Sequence, residues 1–285
     1  VPNTGGLKGI AAAAAAGAVA GDPGKILEVI SSVTQKQKAE IKDYLERREI
    51  QVRPAPGEVV FDVILTLWAG GDSVRLRIAD YHTNIVLIEK NGEPLLKCGT
   101  VTPAGEAASG LTDRSCLSVD AIVDFADTVA LEDVAAPVER QLEYNCAIAR
   151  EGMTRDWGAN IGKVLREYYG EDVKVRARYM AAAGSDARMS GCEMPVIIVS
   201  GSGNQGITAS VPVAVYAQEL GVSHEKLLRA VVLSDLLAIH MKTGIGRLSA
   251  YCGAVSAGCA AGAAISYLYG GGRREVGHTL VNALA

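Results

Sequence analysis

The sequence predicts an α+β protein: a mainly helical body interrupted by a small inserted α+β subdomain that carries an antiparallel sheet. Three observations predict it. Residues 50–97 alternate apolar and polar positions at period two, whereas beyond Ser118 the apolar positions recur at helical spacing. Only 5% of the 285 residues are aromatic, while alanine and glycine abound. That composition suits close-packed helices with thin side chains better than a sheet sandwich. The expected boundaries are 1–33 joined with 100–285 for the helical domain, and 34–99 for the insertion.

Each element follows from a local signal. Pro2-Asn3-Thr4-Gly5-Gly6 reads as a turn able to cap a helix through the alanine tract. Asp22-Pro23-Gly24 breaks that helix before a short one to about Ser32. Thr34 opens a charged segment in which Lys36–Arg48 places Ile41 and Leu45 on one face, an exposed amphipathic helix. Val59–Trp68, Ser73–Ile78, Ile85–Lys90 and Pro94–Lys97 read as strands, with Gly70-Gly71-Asp72 and Asn91-Gly92 as hairpin turns. At least one helix is expected on a face of this sheet. Thr100–Asp113, rich in Gly, Ala and Thr, reads as a connector.

Ser118 caps a helix over Val119–Val129, and others cover about Leu131–Gly152 and Ile161–Tyr168, with a further start near Asp172. Ser223-His224-Glu225 caps a long helix to Thr243, whose apolar face is Leu228, Val232, Leu236 and Ile239. Gly244-Ile245-Gly246 ends it, and two more helices follow.

Composition excludes several functions. Net charge is −4, with no long basic run and no basic–aromatic interleaving, which argues against a nucleic-acid partner. Leu248–Gly272 carries no charge over 25 residues, and Gly258–Gly262 is a small-xxx-small contact. The segment is nevertheless mostly Ala, Gly and Ser, so bilayer insertion is weakly driven and a buried helix is expected instead. The same holds for Ile10–Gly21. Six cysteines stand far apart without a CxxC pair, which predicts a reducing cytoplasm rather than a disulfide framework. The four histidines share no metal-ligand spacing, so zinc is not expected. A first residue Val1 and a helix left unfinished at Ala285 predict that the natural protein continues at both ends.

The chemistry concentrates in two stretches. Ser200-Gly-Ser-Gly-Asn-Gln-Gly206 crowds Ser200, Ser202, Asn204 and Gln205 onto a glycine-rich turn, where exposed N–H groups at a helix start attract a carboxylate or phosphate. Arg247–Gly253 places Cys252 near the start of a helix of small residues. Gly201, Gly203 and Gly206 literally satisfy G-x-G-x-x-G, and Val196–Val199 before them has strand composition. A dinucleotide site, however, needs alternating strands and helices, and the chain downstream is helical.

Taken together, Pro2–Gly5, His82-Thr83-Asn84-Ile85, Ser185-Asp186-Ala187-Arg188-Met189, Ser200–Gly206 and Lys242–Gly253 resemble the L-cysteine desulfidase family, which is related to the α-chain of iron–sulfur L-serine dehydratases. The resemblance spans essentially the whole chain. It implies a helical catalytic domain holding a 4Fe–4S cluster on three cysteines, and β-elimination from a small amino acid. L-cysteine would give sulfide, ammonia and pyruvate; L-serine would give ammonia and pyruvate. On this likeness Cys252 matches one cluster ligand, and Ser200, Ser202, Asn204 and Gln205 match the substrate loop. Asn3, Thr4 and Arg247 are substrate-contact candidates, and Lys242 and His82 are alternative bases. The segments carrying the family's other two cluster cysteines would precede Val1 and follow Ala285. The chain alone therefore supplies one ligand of three, and is expected neither to assemble the cluster nor to be active.

Cys259, two helical turns or about 10 Å of rise from Cys252, reads as packing. Cys192 beside Gly191 is a candidate reactive thiol. Two other functions stay open at this level: an amino-acid-binding scaffold without a cluster, and a nicotinamide-dependent oxidoreductase resting on the glycine motif alone. A homodimer is the expected assembly.

Overall fold

A computed structural model describes residues 1–59, 61–97, 112–245 and 253–285. The chain divides into two compact units, Val1–Thr112 and Asp113–Ala285.

In the first unit α1 (Ile10–Ala20) is the alanine tract. Its N-cap is Gly9, at a φ of 91°, with no side-chain cap. The expected capping by the Pro2–Gly6 turn is therefore corrected. A helix made mostly of alanine has little periodicity to mark its start, and Gly9 tolerates the positive φ that the entry requires. A 3₁₀ segment, Pro23–Glu28, follows, with the Asp22 carboxylate accepting from Gly24 N–H at 3.1 Å. The second helix, α2 (Gln35–Arg47), starts with a full capping box. Gln37 N–H donates to Thr34 Oγ1 at 3.3 Å and Thr34 N–H to Gln37 Oε1 at 2.9 Å. Ala15, Ala16 and Ile41 bury the contact between α1 and α2, flanked by Val19, Tyr44 and Leu45. Residues 1–33, expected with the helical domain, thus pack on α2 within this unit.

The sheet is an antiparallel meander, β1 (Asp62–Ala69), β2 (Asp72–Ala79), β3 (Ile85–Lys90) and β4 (Glu93–Lys97). Ala69 pairs with Asp72 and Lys90 with Glu93, so two-residue loops close the first and third hairpins. Asn91 and Gly92 take φ of 53° and 88°, the primed turn whose twist matches the strands. Asp62 on β1 and Arg77 on β2, diagonal neighbours in the ladder, form a two-point pair, both contacts at 2.8 Å. The helix expected on a face of the sheet is absent among the described elements: α2 packs on α1, and Val63, Leu65 and Leu67 on one face remain exposed. The connector expected at 100–113 lies almost wholly outside the described residues.

The second unit is helical: α3 (Val119–Thr128), α4 (Leu131–Thr154), α5 (Ile161–Tyr169), α6 (Val173–Met189), α7 (Gly203–Leu220), α8 (His224–Thr243), α9 (Gly253–Leu268) and α10 (Arg273–Leu284). Ser118, Asp172 and Ser223 cap α3, α6 and α8 through their side chains. The cap of α5 comes from far away: the Asp186 carboxylate on α6 accepts from Ala159 and Ile161 N–H at 3.3 and 3.1 Å. Against α7 and α8 packs α9, through buried Ala257, Ala260, Ala261, Ala263 and Ala264. Side chains this thin let helix backbones approach closely, which accounts for the low aromatic content. No helix among the described residues is long and apolar enough to cross a membrane.

Candidate functional site

The site forms where the chain turns into α7. Val199 and Ser202 exchange two backbone hydrogen bonds, each of 3.2 Å. Between them Ser200 and Gly201 take φ of 48° and 86°, the two left-handed positions of a primed turn. The turn holds a non-glycine residue in a strained conformation and aims the chain straight into α7. Ser202 is the N-cap, but its side chain makes no capping bond. The first intrahelical bond is that of Gly206 N–H to Ser202 C=O, 3.1 Å. The N–H groups of Gly203, Asn204 and Gln205 precede it, at the positive end of an 18-residue helix.

Three helices fix this turn. From α4, Asn145 is fully buried and grips Ile197 on both sides: Nδ2 donates to its carbonyl at 3.1 Å and Oδ1 accepts from its N–H at 2.9 Å. Nδ2 also reaches Ser210 Oγ, 3.2 Å, and Ser210 donates to Gly206 C=O at 2.7 Å. From α6, Arg188 Nη1 donates to Asn204 Oδ1 at 3.2 Å, and its guanidinium lies so close to Gly203 that a Cβ there would overlap it. A cation thus sits at the positive end of a helix, an arrangement that favours an anion between them. From α9, the backbone of Gly253 lies flush against the Gln205 carboxamide, leaving no room for a Cβ.

Two buried polar atoms here have no hydrogen-bond partner among the described residues: Ser200 Oγ and Gln205 Oε1. Gln205 is only 4% exposed. Leaving such atoms unsatisfied costs about 1–3 kcal/mol each, so a ligand that satisfied them would recover that energy.

Behind the first turn of α7, buried Gln141 on α4 donates through Nε2 to Asp235 Oδ1 at 3.0 Å, with Gly206 C=O at 3.5 Å from the same nitrogen. Asp235 as a residue is half-buried, but its carboxyl is enclosed. Burial pushes its pKa up to about 7, and the Gln141 bond offsets only part of that.

The residues expected from the sequence are distributed as follows. Ser200, Ser202, Asn204 and Gln205 converge at the turn. Lys242, 3% exposed, is in the last turn of α8. Arg247 and Cys252 lie outside the described residues, although the neighbouring Gly253 touches Gln205. In the first unit, Asn3 takes a φ of 59° and donates through Nδ2 to Ile30 C=O at 3.1 Å. Thr4 is fully buried there, with its hydroxyl donating to Val1 C=O at 2.6 Å. His82 is exposed between β2 and β3, its ring 4.7 Å from that of Phe61. The sequence reading did not single out Gln141 or Asn145. It quoted Arg188 within a motif without giving it a role, although an arginine sixteen residues before Asn204 was a visible candidate.

The G-x-G-x-x-G run proves to be a primed turn plus a helix start, with only an isolated bridge at Val199 where the strand was expected. The sheet of the described residues is antiparallel and lies in the other unit, so the dinucleotide architecture is not met. The described residues do not fit an iron–sulfur cluster either. Cys116 is exposed, Cys146 and Cys192 are half-buried, and Cys259 is buried with its thiol 3.5 Å from Ala283 C=O. Burial pushes the Cys146 thiol up in pKa, away from the thiolate that ligation needs. No three His, Cys, Asp or Glu residues among those described come together as a metal site.

Among known proteins, UPF0597 proteins match the chain along its whole length: 58% identity in Desulfitobacterium hafniense, 46% in Lachnoclostridium phytofermentans and 45% in Treponema denticola. The chain spans about two thirds of the length of these relatives, 66–67%. No solved structure matches it. The family model for the serine dehydratase alpha chain matches residues 24–285, and the chain accordingly belongs to the serine dehydratase alpha chain family.

Proposed function

We propose that the protein is a lyase that binds a small β-substituted amino acid at the α7 turn and eliminates its β-substituent, L-cysteine or L-serine being the substrate. The observation that carries this reading is the start of α7 without a Ser202 side-chain cap, with Ser200 Oγ and Gln205 Oε1 buried and unsatisfied beside it among the described residues. Family membership supplies the reaction class.

The steps follow from the groups. The N–H groups of Gly203, Asn204 and Gln205, with Arg188 at their side, hold the carboxylate and stabilise charge that spreads onto it as the Cα proton leaves. Lys242, in the same unit on α8, is the proposed acceptor of that proton. The electron pair left on Cα forms the Cα–Cβ double bond as the Cβ–S or Cβ–O bond breaks, and the departing sulfide or hydroxide takes a proton. The resulting 2-aminoacrylate tautomerises to an imine, which water hydrolyses to pyruvate and ammonia. One water is consumed per turnover with cysteine and none net with serine.

The test is sulfide release from L-cysteine and pyruvate release from L-serine, measured on the natural full-length protein after anaerobic treatment with iron and sulfide, with Cys252→Ala as control. Activity that disappears in the control supports the lyase. A protein that binds the amino acids yet releases no product in either state would instead be an amino-acid-binding scaffold.

A further inference from the structure

We infer that Gln205 recognises the α-ammonium group of the amino acid, while the α7 N–H groups, the Ser200 hydroxyl and Arg188 take its carboxylate. This rests on the amino-acid reading of the site and specifies which end of the molecule goes where.

A carboxamide oxygen only accepts hydrogen bonds. Gln205 Oε1 is buried without a donor among the described residues, so a bare oxyanion at the α7 turn leaves it as unsatisfied as before. The rest of the site has the opposite need. The N–H groups of the first turn at a helix N-terminus and the Arg188 guanidinium favour negative charge and repel a simple cation. A ligand with an anionic end and a hydrogen-bond donor close together satisfies both; a charged donor makes the stronger bond, and an α-amino acid zwitterion carries the two on one carbon.

Placement agrees with this sorting. Successive helical residues are rotated by about 100°. Arg188 contacts Gly203 and Asn204, whereas Gln205 points to the side where Gly253 lies. The acceptor and the cation are therefore on different sides of one helical turn, about 5 Å across at the backbone, a span that suits a molecule of serine's size. The Gly253 backbone packs against the Gln205 carboxamide on that side.

The experiment is isothermal titration of the protein with L-serine, with 3-hydroxypropanoate (which lacks the ammonium) and with ethanolamine (which lacks the carboxylate). Gln205→Met and Gln205→Glu are titrated alongside, each first checked for a cooperative melt. The unsubstituted protein should prefer L-serine to 3-hydroxypropanoate by about 10- to 100-fold, the worth of one hydrogen bond to a charged donor. Ethanolamine should bind weakest. In Gln205→Met the serine preference should collapse, with 3-hydroxypropanoate changed less than about threefold. Gln205→Glu, isosteric and retaining the acceptor, should hold L-serine and weaken 3-hydroxypropanoate, and it decides the matter should the methionine variant fail to fold. Equal loss of both ligands in Gln205→Glu overturns the assignment, as does a serine preference that survives Gln205→Met. Should neither L-serine nor L-cysteine bind the unsubstituted protein, the amino-acid reading falls and this inference with it. Should L-serine bind without preference over 3-hydroxypropanoate, the role of Gln205 alone falls.

Discussion

Replacing Asp235 with asparagine tests the buried polar contact behind the site. The carboxyl is enclosed between α4 and α8 and titrates at about 7, against 3.8 for an ordinary aspartate. Its folded-state pKa lies above the unfolded one, so the folded chain binds the extra proton between those values. Stability therefore falls as pH rises from about 4 to about 7 and levels off above, because burying the ionised form is costly. Each pH unit is worth about 1.4 kcal/mol, so about three units give an upper bound of ~4 kcal/mol at pH 8. The carboxamide of the Asp235→Asn variant would keep an acceptor for Gln141 Nε2 without titrating, and its extra N–H groups add a cost of about 1–3 kcal/mol that does not vary with pH. Urea unfolding of both proteins between pH 4.5 and 8.5 reads the difference directly. The variant should gain on the parent by about 1.4 kcal/mol per pH unit up to neutrality. Stability curves that run parallel across that range would refute the buried, late-titrating carboxyl.

Other perturbations have equally direct readouts. Asn145→Ala removes both clamps on the Ile197 backbone and the Ser210 contact; it should cost about 3–5 kcal/mol in urea unfolding and abolish amino-acid binding with it. Gly253→Ala drives a methyl group into the Gln205 carboxamide, so destabilisation of about 1–3 kcal/mol is expected despite alanine's better helix propensity. L-serine titration should show affinity falling about tenfold as the Gln205 contact is displaced. Thr34→Ala opens the capping box of α2 and should cost about 1 kcal/mol, visible as faster amide exchange in the first turn of that helix.

What the sequence made legible was local. The four strands and two of their hairpins came from alternation and from Gly70-Gly71 and Asn91-Gly92, signals contained within a few residues. Ser118, Thr34 and Ser223 announced their helices because a capping side chain acts on the next turn. Long-range contacts were not legible. Asp186 caps α5 from 25 residues downstream, and no pattern near Ile161 announces it. Val196–Val199 looked like a strand, yet Ile197 takes its backbone partners from Asn145, 52 residues earlier. The glycine-rich turn was visible as a ligand site; its polarity was not, because Arg188, Gln141 and Asp235 reach it only through the packing of α6, α4 and α8. The alanine tract of α1 concealed its own start, since a helix without contrast has no face to read.

The core of the helical unit has a consequence for how this protein can change over time. Ala126, Ala209, Ala230, Ala238, Ala257, Ala260, Ala263 and Ala264 are all at zero exposure. At such a position every substitution except glycine adds volume, so variation can proceed almost only by overfilling. Overfilling strains neighbours on two helices at once, whereas a core rich in leucine can also shed methylenes one at a time. Sequence drift in the helical unit is thus steered outward, to the exposed faces of α3, α5 and α10. The α7 helix, packed on α9 along that alanine seam, carries the turn on a support that tolerates little change in volume.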